Sequence, residues 1–359
     1  MWRWWSCWSG GERRRVLTKF GVDCRMTTID LQVVAIRPEA TEMVTMVLRR
    51  RDGEPLEYKA GQFLTFLFSF GGREVRRSYS FSSTPGVDAL PSITVKRVPN
   101  GEISRWLIGR LRVGDVLTSL PPSGKFLLEE RVGGTVLFLA AGSGMVPVFS
   151  LIKGAAAGVR MVVMTQNRDQ ASIPFREELR RMADAGRLEW ISLLSGVAPV
   201  ARLNNGLLQE MLADIRGDEH FYLCGPVGFM RMAVFTLRLL GIGDEQIRRE
   251  NFTVEYVPPA PVLADTGPKQ VVVRAGDQQY SFTAAWPATI LQAALDRGIA
   301  LPYSCKGGVC STCVARCVKG RVKMSKNEVL TEKDLEAGLV LTCVGYAETD
   351  LELELGDAE

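Results

Sequence analysis

The sequence predicts a multidomain fold: an antiparallel β-barrel, then an α/β domain built on a parallel sheet, then a small α+β domain. Three observations predict it. Short alternating strands fill residues 29–130, apolar strands alternate with helices over residues 134–256, and a proline-rich stretch precedes a hairpin pattern and a cysteine loop. A chain of 359 residues with 46% hydrophobic and 23% charged residues has material for two or three globular domains.

The first 26 residues stand apart from these zones. They hold four tryptophans within the first eight positions and an arginine triplet, without apolar periodicity. A secretory signal would place its charges before an apolar run, and here the order is reversed. The twin-arginine-like stretch at 13–19 is not followed by an apolar core. We expect an unstructured or mis-assigned leader, with Met26 as the true initiator.

The net charge gives no sign of a nucleic-acid partner. The formal charge of +4 lies entirely in residues 1–26, so the remainder of the chain is balanced. The longest charge-free run, residues 132–152, is long enough for a membrane span. Gly142, Ser143, Gly144 and Pro147 interrupt it, which favours a strand, a turn and a helix. We therefore expect no membrane partner.

The barrel zone consists of segments such as 63–68 and 93–98, separated by Gly, Pro and Asn. This pattern is typical of antiparallel strands that close into a barrel, with one helix near 104–111. In the second zone we expect strands at 136–140, 159–164, 188–194 and 221–224, and helices at 148–157, 175–185, 207–215 and 230–240. Such parallel sheets bind ligands at the carboxyl ends of their strands.

The third zone follows the proline-rich linker at 257–267. Its hairpin is expected at 270–275 and 278–283, and its helix at 288–296. Cys305, Cys310 and Cys313 then stand at Cys-x4-Cys-x2-Cys spacing, and Cys343 follows after 29 residues. This is the plant-type ferredoxin arrangement of four thiolates around two irons. The alternatives are core thiols or a zinc site, although zinc usually takes paired Cys-x2-Cys knuckles.

The remaining cysteines carry less information about the cluster. Cys317, in an expected strand at 314–318, is predicted to be a core thiol. Because five of the eight cysteines cluster between residues 305 and 343, the chain is expected to be cytoplasmic with metal-bound thiols, and not a disulfide scaffold.

Two patterns in the α/β zone predict a nucleotide site. Residues 140–147 join an apolar strand to a helix, and Gly142 and Gly144 would let the backbone approach a pyrophosphate at the helix N-terminus. Pro147 stands where the last glycine of Gly-x-Gly-x-x-Gly would be, so the motif is incomplete. Cys224-Gly225-Pro226 ends the fourth expected strand and should face the same crevice.

Two short patterns in the barrel zone predict a second cofactor site. Arg77-Ser78-Tyr79-Ser80 offers a cation, hydroxyls and an aromatic ring for stacking, and Gly101-Glu102-Ile103-Ser104 opens a helix as an anion site. Four-residue matches of this kind arise often by chance or for structural reasons. Their order along the chain makes them informative.

In that order, the barrel, Arg-x-Tyr-Ser, the glycine loop and Cys-Gly-Pro resemble the ferredoxin-NADP reductase superfamily over residues 30–256. With the cysteine domain, the chain is similar to reductases with a C-terminal plant-type ferredoxin, such as those of phenylacetyl-CoA epoxidase, ketosteroid hydroxylase and the hybrid cluster protein. The resemblance implies an FAD-binding barrel (27–131), an NAD(P)-binding α/β domain (132–256), a linker (257–267) and a β-grasp 2Fe-2S ferredoxin domain (268–359).

The resemblance also implies residue roles. Arg77 would hold a flavin phosphate, Tyr79 would stack on the isoalloxazine, Ser80 would bond near the hydride-accepting nitrogen, and Cys224 would lie beside the nicotinamide. Tyr79, Ser80 and Cys224 form the predicted catalytic set. The other predicted cofactor-binding residues are Ser78, Val95, Lys96 and Arg97, then Gly101, Ile103 and Ser104 at the pyrophosphate helix, which Ser104 is expected to cap. For the nucleotide they are Gly142, Ser143, Gly144, Pro147, Asn167, Arg168, Gly225 and Pro226.

The cofactors expected are FAD, a 2Fe-2S cluster and NADPH or NADH. FAD is favoured over FMN because the site at residues 101–104 suits a pyrophosphate. Asn167 and Arg168 follow the second strand, where an arginine can accommodate a 2′-phosphate. The alternative is that Arg168 belongs to a solvated loop.

The predicted function is an NAD(P)H-dependent oxidoreductase that passes electrons through FAD and the cluster to a separate oxygenase or hydroxylase component. One alternative is the same redox core with another acceptor, such as the hybrid cluster protein or a free-standing redox protein. Another is a zinc-stapled binding module without flavin. The single histidine, His220, is expected to be structural, and it leaves no Rieske or two-histidine iron site. The chain is therefore expected to be an electron donor and not the oxygenase.

Overall fold

A computed structural model describes residues 27–70, 72–129, 134–198, 201–213 and 217–355. The predicted leader therefore lies outside the described residues. The strands form a six-stranded sheet, two five-stranded sheets and a two-stranded ribbon, arranged in the three zones expected from the sequence. The predicted fold class is confirmed. No helix in the described ranges is long and apolar enough to cross a membrane.

The first domain is an antiparallel barrel whose sheet has the order β4-β3-β6-β1-β2-β5. Its strands are β1 (Ile29–Ala40), β2 (Met43–Arg50), β3 (Phe63–Phe70), β4 (Arg73–Ser80), β5 (Ser92–Lys96) and β6 (Val116–Ser119). A bridge between Phe81 and Ile93 joins the two ends of the sheet. Apolar residues that alternate along the strands, such as Leu64, Phe66 and Phe68, form its core.

The barrel helix α1 (Glu102–Gly109) closes one end of this core with Ile103 and Leu107. It begins two residues before the expected position, since its N-cap residue is Gly101. The expectation that Ser104 caps the helix is therefore wrong. Ser104 lies in the first turn, where its Oγ accepts a hydrogen bond from the Val98 N–H at 3.1 Å.

The second domain is a parallel sheet of order β11-β10-β7-β8-β9 with crossover helices. The strands are β7 (Thr135–Ala141), β8 (Arg160–Asn167), β9 (Glu189–Leu194), β10 (His220–Cys224) and β11 (Ile247–Glu250). The helices are α2 (Met145–Gly154), α3 (Arg176–Asp184), α4 (Asn205–Met211) and α5 (Val227–Leu239). α2 and α5 begin three residues earlier than expected. The expected end of α4 at residue 215 lies outside the described residues.

Strand β11 is absent from the sequence-based prediction. Its four residues, Ile247-Arg-Arg-Glu, have no apolar alternation because the strand lies at the edge of the sheet. It pairs in parallel with β10, and this pairing places Glu250 beside Cys224.

The third domain is a mixed five-stranded sheet of order β13-β12-β18-β14-β16, with a two-stranded ribbon of β15 and β17. The elements are β12 (Lys269–Ala275), β13 (Gln278–Ala284), α6 (Ile290–Leu295), β14 (Val314–Lys319), β15 (Val322–Met324), α7 (Glu332–Glu336), β16 (Leu339–Leu341), β17 (Gly345–Ala347) and β18 (Leu351–Leu355). α6 buries Ile290, Leu291 and Ala294 in the sheet core. A helix packed on one face of a mixed sheet is the predicted β-grasp arrangement.

Barrel and α/β domain share a buried polar contact. Ser150 of α2 is fully buried; its Oγ donates to the Ser83 carbonyl at 2.6 Å, and its carbonyl accepts from Thr84 Oγ1 at 2.6 Å. Gly61 of the barrel lies against the same helix, since a Cβ there would stand 2.7 Å from Leu151; it would also stand 1.9 Å from the Phe126 carbonyl oxygen of the barrel itself. The two domains therefore have no free space between them at Gly61.

This contact predicts different costs for two glycines that share a left-handed backbone. Gly61 has φ +87° and Gly53 has φ +84°, but a Cβ at Gly53 meets nothing within 4 Å. We expect Gly53→Ala to cost about 1 kcal/mol, from backbone strain alone. Gly61→Ala should cost at least about 3 kcal/mol, because backbone atoms must also move apart. The shift of the first thermal unfolding midpoint measures both, and equal shifts would contradict the packing described for Gly61.

Candidate active site

Strand β4 presents its residues to two different surroundings. Successive side chains of a strand point to opposite faces, so Arg77 and Tyr79 share one face, and Arg76, Ser78 and Ser80 share the other. The Tyr79 ring packs with the barrel core, 6.2 Å from the Phe66 ring. The opposite face contacts the two other domains through Arg76, Ser78 and Ser80.

The first face of β4 carries the uncharged ring of Tyr79 and the exposed cation of Arg77. Burial raises the pKa of Tyr79 to about 12, so the phenol stays neutral at physiological pH. The Arg77 guanidinium is exposed, and its Nη1 donates to the Arg76 carbonyl at 2.7 Å. A flat neutral ring beside a cation suits a stacked heterocycle that carries a phosphate.

On the second face, Ser80 contacts a buried carboxyl group. Ser80 Oγ donates to Glu250 Oε1 at 2.8 Å, and Glu250 Oε2 is buried without a hydrogen-bond partner among the described residues. Burial raises the pKa of Glu250 to about 8, and the bond from Ser80 only partly opposes this effect. Glu250 is therefore mainly neutral at pH 7.

Cys224 completes this group on the neighbouring strand. It pairs in register with Glu250, and its thiol is fully buried. Burial, and secondly the Glu250 carboxyl, raise the pKa of Cys224 well above its ordinary value, so the thiol stays protonated. Glu250 is absent from the predicted site residues. Its place at the ligand-binding edge of the sheet follows only from the pairing of its strand with β10, which the sequence pattern does not reveal.

The glycine loop meets Cys224 at this edge, as expected. A Cβ on Gly144 would stand 2.0 Å from the Cys224 carbonyl oxygen, so only glycine fits there. Gly142 has φ +56°, and Lys96 Nζ lies 3.4 Å from where its Cβ would be. Ser143 is half-buried in the turn, and Pro147 lies in the first turn of α2, where proline is tolerated. The glycine loop therefore brings the N-terminus of α2 close to Lys96 of the barrel. Both carry positive charge, so this position suits an anion.

The Cys224-Gly225-Pro226 segment has the same close packing. A Cβ on Gly225 would stand 3.0 Å from Ala141 Cβ at the end of β7. Pro226 is the N-cap residue of α5, where its missing N–H costs no helical hydrogen bond. His220, the first residue of β10, lies at the opposite end of that strand from Cys224.

Several predicted cofactor residues have side chains that are engaged elsewhere. Val95 and Ile103 are buried in the barrel core, so only their backbone could line a cofactor. Arg97 pairs with Glu42 at 3.0 Å. Asn167 is buried, and its Nδ2 donates to the Ser172 carbonyl at 2.8 Å, which shapes the turn after β8. Arg168 remains 71% exposed despite its ion pair with Asp169, so its guanidinium is accessible to a ligand.

The cysteine loop between α6 and β14 turns sharply. Lys306, Gly308 and Ser311 all have left-handed φ, at 53°, 74° and 57°. These turns direct backbone donors at sulfur: the Gly307 N–H is 3.4 Å from Cys305 Sγ, and the Cys305 N–H is 3.5 Å from Cys310 Sγ. N–H groups aimed at thiols stabilise thiolates, which is what a bound iron cluster requires.

The thiols of the four predicted ligands lie close to one another in a chain of contacts. Cys310 neighbours Cys305, Cys305 neighbours Cys343, and Cys343 neighbours Cys313. The neighbouring Cys310 thiol, followed by that of Cys343, lowers the pKa of Cys305, and the Cys343 thiol lowers the pKa of Cys313. Over the described ranges, no three His, Cys, Asp or Glu side chains converge as ligands of a single ion. A two-iron cluster takes two thiolates at each iron, so four neighbouring thiols that do not converge on one point fit it.

Two further observations concern the surroundings of the cluster site. Ser311 Oγ is buried beside Cys310 and has no hydrogen-bond partner in the part of the chain that the structure describes. A sulfide or thiolate would supply an acceptor for that hydroxyl. Cys317 lies apart from the four ligands, with its Sγ 3.5 Å from the Lys319 carbonyl oxygen in β14.

Comparisons with known proteins match this architecture domain by domain. Residues 32–127 match the family model of an oxidoreductase FAD-binding domain, residues 138–234 that of an oxidoreductase NAD-binding domain, and residues 273–348 that of a 2Fe-2S iron-sulfur cluster binding domain. These matches agree with the FAD, nicotinamide and 2Fe-2S cofactors predicted for the three zones.

Relatives that match along most of their length belong to oxygenase systems. The ferredoxin reductase component of 3-ketosteroid-9-alpha-monooxygenase from Mycobacterium tuberculosis is 32% identical, over 90% of this chain and 94% of its own. A component of the 1,2-phenylacetyl-CoA epoxidase of Escherichia coli is also 32% identical, over 89% and 95%. The reductase of the glycine betaine monooxygenase of Pseudomonas aeruginosa is 30% identical, over 83% and 87%.

Solved structures show the same fold. An intact type IV self-sufficient cytochrome P450 monooxygenase superposes with a TM-score of 0.74, at 24% identity, over 95% of this chain and 43% of its own. Phthalate dioxygenase reductase superposes with a TM-score of 0.60, at 22% identity, over 91% and 98%. In both cases the likeness covers all three domains.

The proximity of the four thiols predicts which cysteines are needed for iron. Cys313→Ser removes one of four ligands and should abolish the visible absorption of the cluster, together with its iron, expected at about two atoms per chain. Cys317→Ser is the matched control in the same domain and should keep both. Iron and acid-labile sulfide assays on anaerobically purified protein measure the difference. Equal iron in the two variants would contradict this set of ligands.

Proposed function

Because the chain belongs to the family of FAD- and NAD-binding oxidoreductases that carry a 2Fe-2S domain, we propose that it is an electron-transfer reductase component. It takes hydride from NAD(P)H onto FAD and passes electrons through the cluster to a separate acceptor protein. The observation that carries the proposal is the position of β4: Ser80 bonds Glu250 of the α/β domain, and Ser78 Oγ lies 2.7 Å from Ser304 Oγ in the cysteine loop.

The residues that would hold each cofactor lie around this strand. FAD would be held by Arg77, Tyr79 and the N-terminus of α1. Lys96 would lie where the FAD site meets the glycine loop. Residues 142–147 and 224–226 would hold the nicotinamide nucleotide, and Arg168 its adenosine end. Cys305, Cys310, Cys313 and Cys343 would hold the cluster. A bound flavin would accept two electrons together and release them one at a time. It would thereby link nicotinamide, which donates electrons in pairs, to the cluster, which accepts them singly.

The edge of the site where hydride would be transferred is lined by three uncharged groups, those of Ser80, Glu250 and Cys224. The neutral thiol of Cys224 would present no charge to a nicotinamide bound beside it, and its burial would limit the access of water. A neutral Glu250 offers one O–H and one carbonyl oxygen, so it both accepts from Ser80 Oγ and retains a proton on the other side. Glu250 thereby holds the Ser80 hydroxyl toward the α/β domain, at the end of the strand that carries Tyr79.

The acceptor is proposed to be an oxygenase or hydroxylase component. Three relatives are named as parts of a ketosteroid monooxygenase, a phenylacetyl-CoA epoxidase and a glycine betaine monooxygenase. A fourth, from Rhizobium meliloti, is named as the reductase of stachydrine N-demethylase and is 27% identical. Each of these names describes one part of a system with several components, which supports a separate acceptor here.

Domain limits and location are proposed on the same basis. The family matches at 32–127, 138–234 and 273–348 fall inside the domains proposed at 27–131, 132–256 and 268–359. The described cysteines are all free thiols. A reducing cytoplasm would keep them in that state for iron binding.

Stepwise reduction tests the proposed function. Anaerobic protein should carry flavin and iron-sulfur absorption, and addition of NADPH or NADH should bleach the flavin band before the cluster band. The more effective nucleotide identifies the hydride donor, and Arg168→Ala should weaken NADPH about tenfold or more if Arg168 binds the 2′-phosphate. Colourless protein, or flavin that neither nucleotide reduces, would reject the proposed function.

The burial of Glu250 predicts a dependence of stability on pH. Its folded pKa of about 8 lies above the ordinary value of 4.5, so between these pH values the folded state holds a proton that the unfolded state has lost. Stability should therefore fall as pH rises through this window, by at most about 1.4 kcal/mol per unit, and level off above pH 8. Glu250→Gln keeps an acceptor for Ser80 and should remove this contribution.

The measurement is the difference in thermal midpoint between wild type and Glu250→Gln at several pH values. Other titrating groups, including Glu39, whose pKa is also raised by burial, are common to both proteins and cancel in this difference. A difference that does not change between pH 5 and pH 8 would mean that Glu250 is ionised in the folded state.

A further inference from the structure

Arg76 joins the barrel to the cysteine loop through two contacts with Tyr303, and a third contact holds its guanidinium within β4. Nη1 donates to the Tyr303 carbonyl at 2.9 Å, and Cζ lies 3.6 Å from the centre of the Tyr303 ring. On the other edge, Nε pairs with Glu74 Oε1 at 2.7 Å. The Arg76 side chain is only 7% exposed, so these contacts are formed largely away from water.

Such contacts fix both the position and the orientation of Tyr303. A hydrogen bond to its backbone and a cation over its ring constrain the residue at two separate points. Lysine could not make the same set, since its ammonium has no planar face and no second donor edge. Tyr303 stands two residues before Cys305, so its position determines where the cysteine loop begins.

Ser78 supplies a second point of attachment on the same face of β4. Its Oγ lies 2.7 Å from Ser304 Oγ and 2.9 Å from Thr65 Oγ1 of the neighbouring strand. Residues two apart in a strand are separated by about 7 Å, so two consecutive loop residues are bound at two points along β4. Attachment at both Arg76 and Ser78 restricts rotation of the cysteine loop about either contact alone.

These contacts lie between the predicted flavin residues and the cluster ligands. Arg77 and Tyr79 occupy the opposite face of the strand from Arg76 and Ser78, while Tyr303 and Ser304 lead directly into Cys305. We propose that Arg76 is a positioning residue that holds the cysteine loop on β4 and so sets the distance for electron transfer from flavin to cluster. This inference rests on the proposed function.

A separate contact between the barrel and the third domain provides a control. Lys125 Nζ pairs with Asp334 Oδ1 at 2.5 Å, and Asp334 belongs to α7 and not to the cysteine loop. If Arg76 acted only by joining two domains, removal of the Lys125 pair should have a similar effect. If Arg76 positions the loop, the two substitutions should differ.

The experiment is anaerobic stopped-flow reduction of the full chain by its preferred nucleotide, with flavin and cluster followed at separate wavelengths. Arg76→Ala should slow cluster reduction several-fold, because the cysteine loop is no longer held at Tyr303 and electron transfer weakens as the distance from flavin to cluster grows. Flavin reduction, the KM for nucleotide, iron content and the electron paramagnetic resonance spectrum of the reduced cluster should not change. Lys125→Ala should leave both phases at wild-type rates.

Two further variants keep the test decisive if Arg76→Ala loses iron. Tyr303→Phe retains the ring and the carbonyl and should transfer electrons as wild type does. Arg76→Lys retains only the charge, so its cluster should be reduced more slowly than that of the wild type. Hydrogen exchange in the resting protein gives an independent readout: Arg76→Ala and Arg76→Lys should raise exchange in residues 302–309, and Lys125→Ala should not.

The outcomes separate the two proposals. A wild type that lacks cofactors or is not reduced rejects the proposed function. A wild type that shows both phases, together with iron-loaded Arg76 variants that reduce the cluster at the wild-type rate, rejects only the role of Arg76. Equal slowing by Lys125→Ala also rejects that role, since the contact would then be simple domain attachment.

Discussion

The alternation of side chains along a single strand is the constraint on which the arrangement of this protein depends. In eight residues, β4 directs Tyr79 into the barrel wall and turns Ser78 and Ser80 toward two other domains. A one-residue shift in its pairing with β3 would exchange these faces and separate the cysteine loop and Glu250 from the predicted flavin residues. The strand register of the barrel therefore determines whether the cysteine loop and Glu250 lie beside the predicted flavin residues.

The buried ionisable side chains of the site are neutral. Burial raises the pKa values of Tyr79, Cys224 and Glu250, and in each case burial is the largest cause. Charges remain at the border, on Arg77, Lys96 and Arg168, where phosphates would lie. Neutral groups at the ring and cations at the phosphates suit a reaction in which the protein supplies orientation and binding and the cofactors supply the chemistry.

Much of this organisation could be predicted from the sequence. The cysteine spacing predicted four ligands because a cluster requires thiols at fixed distances along the chain, and the alternating and helical periods predicted the three-part fold that the sheets show. Glu250 was missed because its short edge strand, Ile247–Glu250, contains mostly charged residues and has no period to detect. The cap role of Ser104 was wrong because helix starts are uncertain by one or two residues. Contacts such as Arg76 with Tyr303 join positions 227 apart and leave no local pattern.

Gly144 limits where the proposed nucleotide pocket could change. A side chain at that position would collide with the Cys224 backbone, and both segments lie at the same edge of the parallel sheet. The floor of the proposed pocket therefore has no room for a larger residue. A substitution that altered the choice between NADPH and NADH would be accommodated more easily near Arg168, whose side chain is exposed, and would leave the packing of Gly144 against Cys224 unchanged.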